Sequence, residues 1–189
     1  MKKSISILTL FFVLFVSQMG MAQQSSSQQL GDYHLSLYYD AQDDVLDLEA
    51  YTKHESQNAF FGVTCSVMSP FPSVQVLLFD EAAISASPRL LKVSYQIDGQ
   101  PGTLPLQAVL QAEKGTQGLQ NQLRLEVDQS RIEKNLRRMQ QIYTQLLEAL
   151  ESGQSVQLSF QHRTLGQHDY LFSLNGFKAL IEPHREVCR

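Results

Sequence analysis

This chain of 189 residues lacks the short motifs that mark many catalytic centres. It contains no G-x-S-x-G elbow, no phosphate-binding glycine loop, no H-E-x-x-H pair and no C-x-x-C pair. Each of these motifs places a nucleophile, a metal or a phosphate group at a fixed position in a fold. Because none is present, we expect no catalytic residue, no metal ligand and no bound cofactor.

The chain also lacks an excess of positive charge, and its formal net charge is −4. An acidic domain has no general attraction for nucleic acid or for anionic lipid, so neither partner is expected.

Long hydrophobic runs are missing except near the start, where residues 7–16 are apolar apart from Thr9. This run is far shorter than the ~20 residues that a membrane-spanning helix needs. Lys2 and Lys3 precede it, and the small residues Gly20 and Ala22 follow it at the spacing read by a signal peptidase. The pattern predicts a Sec signal peptide over residues 1–22, and a mature chain that is periplasmic or secreted and not inserted in the membrane.

The polar run QQSSSQQ follows the predicted cleavage site. Glutamine and serine cannot build a core, so residues 23–31 are expected to be a flexible tether. Residues 32–189 have the length of one ordinary domain.

Cysteine is scarce, with only Cys65 and Cys188 in the whole chain. Cys65 shares strand parity with Phe61 and Val63 and should point to the buried face, whereas Cys188 follows a short helical pattern at the C-terminus. Two cysteines in an exported protein predict one disulfide, which would fasten the C-terminal segment over an early strand. A reactive thiol or an intermolecular bridge at Cys188 is the alternative.

Apolar and polar residues alternate along most of the chain, as in antiparallel strands with one buried face. Glycine-containing connections at residues 98–103, 113–118 and 163–167 predict hairpins between neighbouring runs. The predicted strands cover residues 35–39, 45–51, 60–67, 74–79, 90–97, 104–110, 123–127, 155–162 and 169–174.

One segment, residues 130–152, has apolar residues at spacings of three and four, which predicts a long helix. Ser130 and Glu133 have capping-box spacing, and Gly153 is a helix stop. We expect its apolar stripe to be core, in particular Leu136, Met139, Tyr143, Leu146 and Leu150. The predicted fold class is α+β: an antiparallel, sandwich-like domain with this helix, a short C-terminal helix and one disulfide.

Two groups of residues have side chains of the types that bind metal ions. His162 and His168 flank a predicted hairpin turn and would provide half a zinc site if the hairpin pairs them. Closing one end of a core face is the alternative role for these histidines. Asp40, Asp43, Asp44 and Asp47 supply oxygen ligands at a density suited to calcium, but the EF-hand spacing and its glycine are missing, so a solvated turn is expected.

Three stretches in order resemble the VasI-like family of small exported proteins associated with type VI secretion. They are the acidic pair and strand DDVLDLEAYTK, the strand cysteine GVTCSV with the hairpin LKVSYQIDGQPG, and the closing segment FSLNGFKALIEPHREVC. The S-L-x-G-F phrase is also similar to invasion-associated locus B-type exported proteins. Neither family offers catalytic residues. The resemblance implies an accessory protein of the cell envelope that binds a protein partner and supports a type VI-like secretion apparatus.

The loop VMSPFPS between two predicted strands is the first candidate for a contact surface, because loops held by a rigid sheet carry specificity. Its candidate residues are Ser69, Pro70, Phe71 and Pro72, with an apolar tip expected around Phe71. Phe71 folding back onto the core is the alternative. A secreted ligand-binding or inhibitory module is the second functional hypothesis, and an enzyme is the third.

Overall fold

A computed structural model describes residues 24–79, 88–115, 118–132, 135–162 and 166–188. The predicted signal peptide lies outside these residues, and so do Asp80 and Glu81, an acidic pair that the sequence predicts to be in a turn. Within them, no helix is both long enough and apolar enough to cross a membrane. The strands are β1 (Gln24–Leu30), β2 (Tyr33–Tyr39), β3 (Val45–Lys53), β4 (Ala59–Ser66), β5 (Ser73–Leu78), β6 (Arg89–Leu91), β7 (Val93–Ile97), β8 (Gln100–Pro101), β9 (Leu106–Gly115), β10 (Gly118–Val127), β11 (Ser155–His162) and β12 (Gly166–Ser173). The helices are α1 (Leu136–Ser152) and α2 (Phe177–Ile181), and a 3₁₀ turn (Glu182–His184) follows α2.

These strands form two antiparallel sheets. The larger sheet has eight strands in the order β1-β2-β3-β4-β5-β10-β9-β6, and the smaller has four in the order β12-β11-β7-β8. The chain passes from one sheet to the other at Lys92, between β6 and β7. The α+β, sandwich-like fold class predicted from the sequence is confirmed.

The core lies between the inner faces of the two sheets and the two helices. Phe61 of β4 stacks on Phe172 of β12 across the sandwich, with ring centroids 5.5 Å apart. Tyr33 of β2 packs on Phe177 of α2 at 5.2 Å, which seats the short helix on the larger sheet. Burying one such side chain stabilises the fold by roughly 1.5–3 kcal/mol, and the alternation of apolar residues thus determines which face of each sheet is inside.

The disulfide between Cys65 and Cys188 is present, as predicted, with a Cα–Cα distance of 4.9 Å. Both half-cystines are buried. The bond joins the end of β4 to the segment after α2, across 123 residues of sequence. It therefore holds the C-terminal segment, which would otherwise fray, against the core.

The long helix begins later than the sequence predicts. Its N-cap is Asn135, whose side chain accepts a hydrogen bond from the Arg138 N–H at 2.7 Å. The Ser130 hydroxyl instead donates to the carboxylate of Asp128 at 2.6 Å, within a preceding turn. The predicted start at Ser130 is therefore wrong, and the predicted partner Glu133 lies outside the described residues. The predicted stop at Gly153 is confirmed.

The late start changes which helix residues are core. Leu136 occupies the first turn and is 57% exposed, and Met139 is only half-buried, so the expectation that they are core is wrong. The predicted Tyr143, Leu146 and Leu150 are buried, together with Ile142 and Leu147.

The predicted flexible tether is a strand in the structure. Residues Gln24–Leu30 form β1 and pair with β2 over seven consecutive positions. All seven residues are exposed, and none of their side chains belongs to the core. A run without an apolar face gives no alternating signal, and here backbone pairing with β2 alone produces the strand.

The hairpin predicted at residues 98–103 does not pair the two strands that the sequence analysis expected. The turn at Asp98-Gly99 leads from β7 into β8, which is only two residues long. The next strand, β9, lies in the other sheet between β10 and β6. The other two predicted hairpins, β9–β10 and β11–β12, are confirmed.

Candidate interaction site

Residues 67–72 form the connection between β4 and β5, and hydrogen bonds fix its conformation. The Val67 N–H donates to the Leu46 carbonyl at 2.9 Å, which joins the loop to the start of β3. The Ser66 hydroxyl accepts from the Met68 N–H at 3.1 Å. The Ser69 hydroxyl donates to the Phe71 carbonyl at 2.7 Å. With Cys65 held in the disulfide just before it, the 67–72 loop is constrained at its base and along its length.

The exposed apolar tip of this loop is formed by Val67 and Met68. Met68 is 88% exposed, the highest value among the exposed large hydrophobic side chains of the described residues, and Val67 is 52% exposed. A methionine side chain in water is an adaptable apolar contact that many partner surfaces can accommodate. The sequence analysis predicts the apolar tip around Phe71, three residues further along the chain.

The four predicted contact residues divide into two pairs. Ser69 and Pro70 are exposed, whereas Phe71 is half-buried and Pro72 is buried. The Phe71 ring packs on Tyr143 of α1, with centroids 5.1 Å apart. The apolar tip expected around Phe71 is therefore wrong, and the alternative, in which Phe71 folds back onto the core, is the one observed. Phe71 anchors the loop to the long helix.

A groove of about 370 Å³ runs beside the loop on the outer face of the larger sheet. Its lining includes Tyr38, Asp47 and Glu49 from β2 and β3. The described residues that line it include no lysine or arginine. The Tyr38 hydroxyl donates to a carboxylate oxygen of Glu49 at 3.2 Å. Desolvation and then the negative charges of Glu49 and Asp47 raise the pKa of the Tyr38 phenol, as expected in an acidic groove.

The turn between β2 and β3 carries further carboxylates. Asp40 is engaged within this turn, because its carboxylate accepts from the N–H groups of Gln42 and Asp44 at 2.8 and 3.0 Å. Asp43 adopts a positive φ of 65°, as turn residues of this type do. Among the described residues no cluster of three or more His, Cys, Asp or Glu side chains is arranged to hold a metal ion. Asp40, Asp43 and Asp44 therefore lie at the β2–β3 turn, whereas Asp47 lies in β3 and lines the groove.

The two histidines of the β11–β12 hairpin are not brought opposite each other. His162 pairs with Gly166, and His168 pairs with Phe160. The rings of His168 and Phe160 stack at 5.6 Å, and this stack continues to Tyr170 and Phe172. The condition for half a zinc site, which was direct pairing of the histidines, is not met. His168 belongs to an aromatic row at the edge of the core.

The geometry therefore presents a fixed loop with an apolar tip, bordered by an acidic groove. Comparison with models of known protein families, with curated proteins and with solved structures found no match.

Proposed function

We propose that this protein is an exported interaction protein that binds a partner protein through the tip of the 67–72 loop. The observation that carries the proposal is the position of Met68, which is 88% exposed on a loop held by hydrogen bonds and a disulfide. A constrained loop loses little entropy on binding. Burying a methionine side chain contributes roughly 1.5–3 kcal/mol, enough to make it a dominant contact. No catalytic step is part of the proposal.

Its location is proposed to be the periplasm or the exterior of a bacterial cell. The leader pattern of residues 1–22 supports this location, and so does the disulfide, since disulfides persist in oxidising compartments. The resemblance to the VasI-like family suggests a role beside a type VI-like secretion apparatus.

The acidic groove indicates the charge of the partner. Asp47 and Glu49 lie in the groove beside the loop, and Asp43 and Asp44 lie exposed on the neighbouring turn. The complementary surface carries lysine or arginine around an apolar pocket that receives Met68. Charge pairs at the rim of an interface accelerate association and weaken as salt increases. Partner binding should therefore depend on ionic strength.

The test compares two charge substitutions at exposed apolar side chains. Met68→Asp removes the apolar tip, and Leu90→Asp places the same charge on β6, where Leu90 is 68% exposed. Each tagged variant is expressed in the native host, and the envelope proteins that co-purify are quantified. We expect Met68→Asp to lose a partner that Leu90→Asp retains, and added salt to weaken retention by the wild type. Loss of the partner by both variants, or by neither, contradicts the proposal.

A stability measurement separates binding from folding. Met68→Asp should leave the free energy of unfolding within about 0.5 kcal/mol of the wild type, as for most surface substitutions. Phe71→Asp should lower it clearly, because Phe71 packs on Tyr143. If Met68→Asp unfolds the protein, then Met68 is a structural residue and the proposed site is wrong.

A further inference from the structure

The edges of the two sheets differ in how well they are protected. An edge strand exposes unpaired backbone N–H and C=O groups, and proteins usually limit this exposure with short strands, proline, bulges or lysine. Among the described edge strands, β6 has three residues, and β8 has two and contains Pro101. β1 and β12 are longer, with seven and eight residues, and neither contains proline or lysine. β12 pairs with β11 without a register shift. Its other side has no strand neighbour among the described residues.

The direction of the backbone groups of β12 follows from one hydrogen bond. The Leu174 N–H donates to the Gln154 carbonyl at 2.8 Å, and so points toward β11. In an antiparallel strand this direction alternates with each residue. The N–H and C=O groups of Asp169, Leu171 and Ser173 therefore point toward the open edge. Leu171 is also 57% exposed, which adds apolar surface at that edge.

A cleft of about 560 Å³ lies at the end of β12, between residues 171–173 with residues 154–155 beside them and residues 52–56 at the end of β3 and in the loop after it. Thr52 lines the cleft, is 1% exposed, and its hydroxyl has no hydrogen-bond partner within the described chain. A buried polar group without a partner costs roughly 1–3 kcal/mol, which a ligand that supplies the hydrogen bond would recover. The cleft has walls on both sides, so it admits one extended chain more readily than the edge of a second sheet.

The described residues that line the cleft include two carboxylates and one ammonium, which leaves one net negative charge. Asp32 and Glu55 line it, and the Ser173 hydroxyl donates to Asp32 at 2.6 Å. Lys53 is the one lysine or arginine among the described lining residues, and its ammonium lies 5.9 Å from the centroid of the Phe60 ring. The Nδ1 atom of His54 accepts backbone N–H bonds from Ser56 and Gln57 at 3.2 and 3.1 Å. A segment that enters this cleft should carry positive charge.

We propose that the open edge of β12 binds an extended, basic segment of a partner polypeptide, which adds to the smaller sheet as a further strand. Strand addition satisfies the outward backbone groups, and the side chains of the added strand enter the cleft. The site is separate from the 67–72 loop, because the two lie at opposite ends of β3. Leu46, near the start of β3, accepts a hydrogen bond from the loop, and Lys53, at the end of β3, lines the cleft. The proposal can therefore hold whether or not the loop binds a partner.

The test uses phage-displayed random octapeptides, matched to the length of β12. They are selected on the full mature chain, and the recovered peptides are synthesised. We expect enrichment of lysine and arginine, and hydrogen-exchange protection of the Leu171 N–H when a recovered peptide is bound. Leu171→Pro removes that outward donor without removing a bond to β11, since proline is accepted on the open side of an edge strand. It should weaken binding about tenfold or more, and Leu171→Ala less than about threefold.

A second readout does not depend on a folded variant. Methylating successive backbone nitrogens of a recovered peptide should weaken binding at alternate positions only, because every second N–H of an added strand faces β12. Met68→Asp should bind these peptides as the wild type does, which separates this site from the loop.

Three results of the peptide experiments would overturn the proposal. They are failure to enrich any peptide on the wild type, peptides that bind Leu171→Pro and the wild type equally, and recovered peptides without basic residues. A wild-type dimer that Leu171→Pro converts to a monomer would also overturn it, because the occupant of the edge would then be a second copy of this chain.

Discussion

The carbonyl oxygen of Leu30 occupies the place that a side chain on Gly176 would need. A Cβ atom at Gly176 would lie 2.0 Å from that oxygen, and Gly176 has a φ of +94°. The Asp32 N–H also donates to the Asn175 carbonyl at 3.0 Å. The turn between β1 and β2 thus packs directly on the turn that starts α2, joining the two ends of the domain.

Gly176→Ala should therefore destabilise the protein more than an alanine substitution at a glycine that has a positive φ but free space around it. Gly166 is the matched control, because its φ is +80° and a Cβ atom there would meet nothing within 4 Å. We expect Gly166→Ala to lower the free energy of unfolding by about 1 kcal/mol and Gly176→Ala by about 3 kcal/mol or more. Urea unfolding measures both, and equal losses would show that the contact with Leu30 relaxes without cost.

Substitution of Gly62 should also destabilise the protein, because the ring of Tyr51 lies where a side chain on Gly62 would be. A Cβ atom at Gly62 would lie 2.1 Å from this ring, whose hydroxyl accepts a hydrogen bond from the buried Gln75 at 2.8 Å. Gly62→Ala would displace the ring and leave Gln75 without this partner, at a cost of about 2 kcal/mol. In a Tyr51→Ala background the same substitution should cost less, and the remaining cost comes from the Ala50 carbonyl oxygen, which would still lie 2.8 Å from the Cβ atom. A double-mutant cycle followed by urea unfolding tests this, and additive losses would contradict the proposed clash.

The two ends of α1 should respond differently to truncation. Leu146 is 1% exposed and Leu136 is 57% exposed. Leu146→Ala should lower the free energy of unfolding by about 2–5 kcal/mol, because it leaves a cavity. Leu136→Ala should change it by no more than about 0.5 kcal/mol. A large loss at Leu136, measured in the same denaturation assay, would place the helix start in the core after all.

Asp98 should make stability depend on acid pH. Its carboxylate accepts N–H bonds from Gln154 and Ser155 at 2.9 and 2.8 Å, and these bonds lower its pKa below the usual value of 3.8. Because the pKa of Asp98 is lower in the folded state, its contribution to the free energy of unfolding is complete above the pKa that Asp98 has in the unfolded chain. It is lost as pH falls from about 3.8 through the folded pKa.

Asp98→Asn tests this contribution, because asparagine also tolerates the positive φ of 50° at this position. The free energy of unfolding of the wild type should fall more steeply than that of the variant as the pH decreases below about 4. Parallel curves would mean that Asp98 does not contribute to the acid sensitivity.

Local sequence determined the elements whose signal is carried within a few residues. Alternation of apolar and polar side chains predicted most strands, because a strand with one buried face repeats every second residue. Gly153 ended the helix where predicted, and the scarcity of cysteine left Cys65 and Cys188 as the one intramolecular pair. Each of these properties depends on residue type and spacing, which the sequence contains in full.

Tertiary structure decided the features that depend on distant partners. β1 is a strand because β2 lies beside it, although its glutamines and serines carry no strand pattern. β9 joins the larger sheet instead of pairing with β7, since sheet membership depends on contacts that local alternation does not encode. Met68 is the exposed tip of the loop because Phe71 packs on Tyr143, which lies 72 residues further along the chain. The cleft beside β12 exists because residues of β3 and β12, far apart in sequence, meet where the two sheets come together.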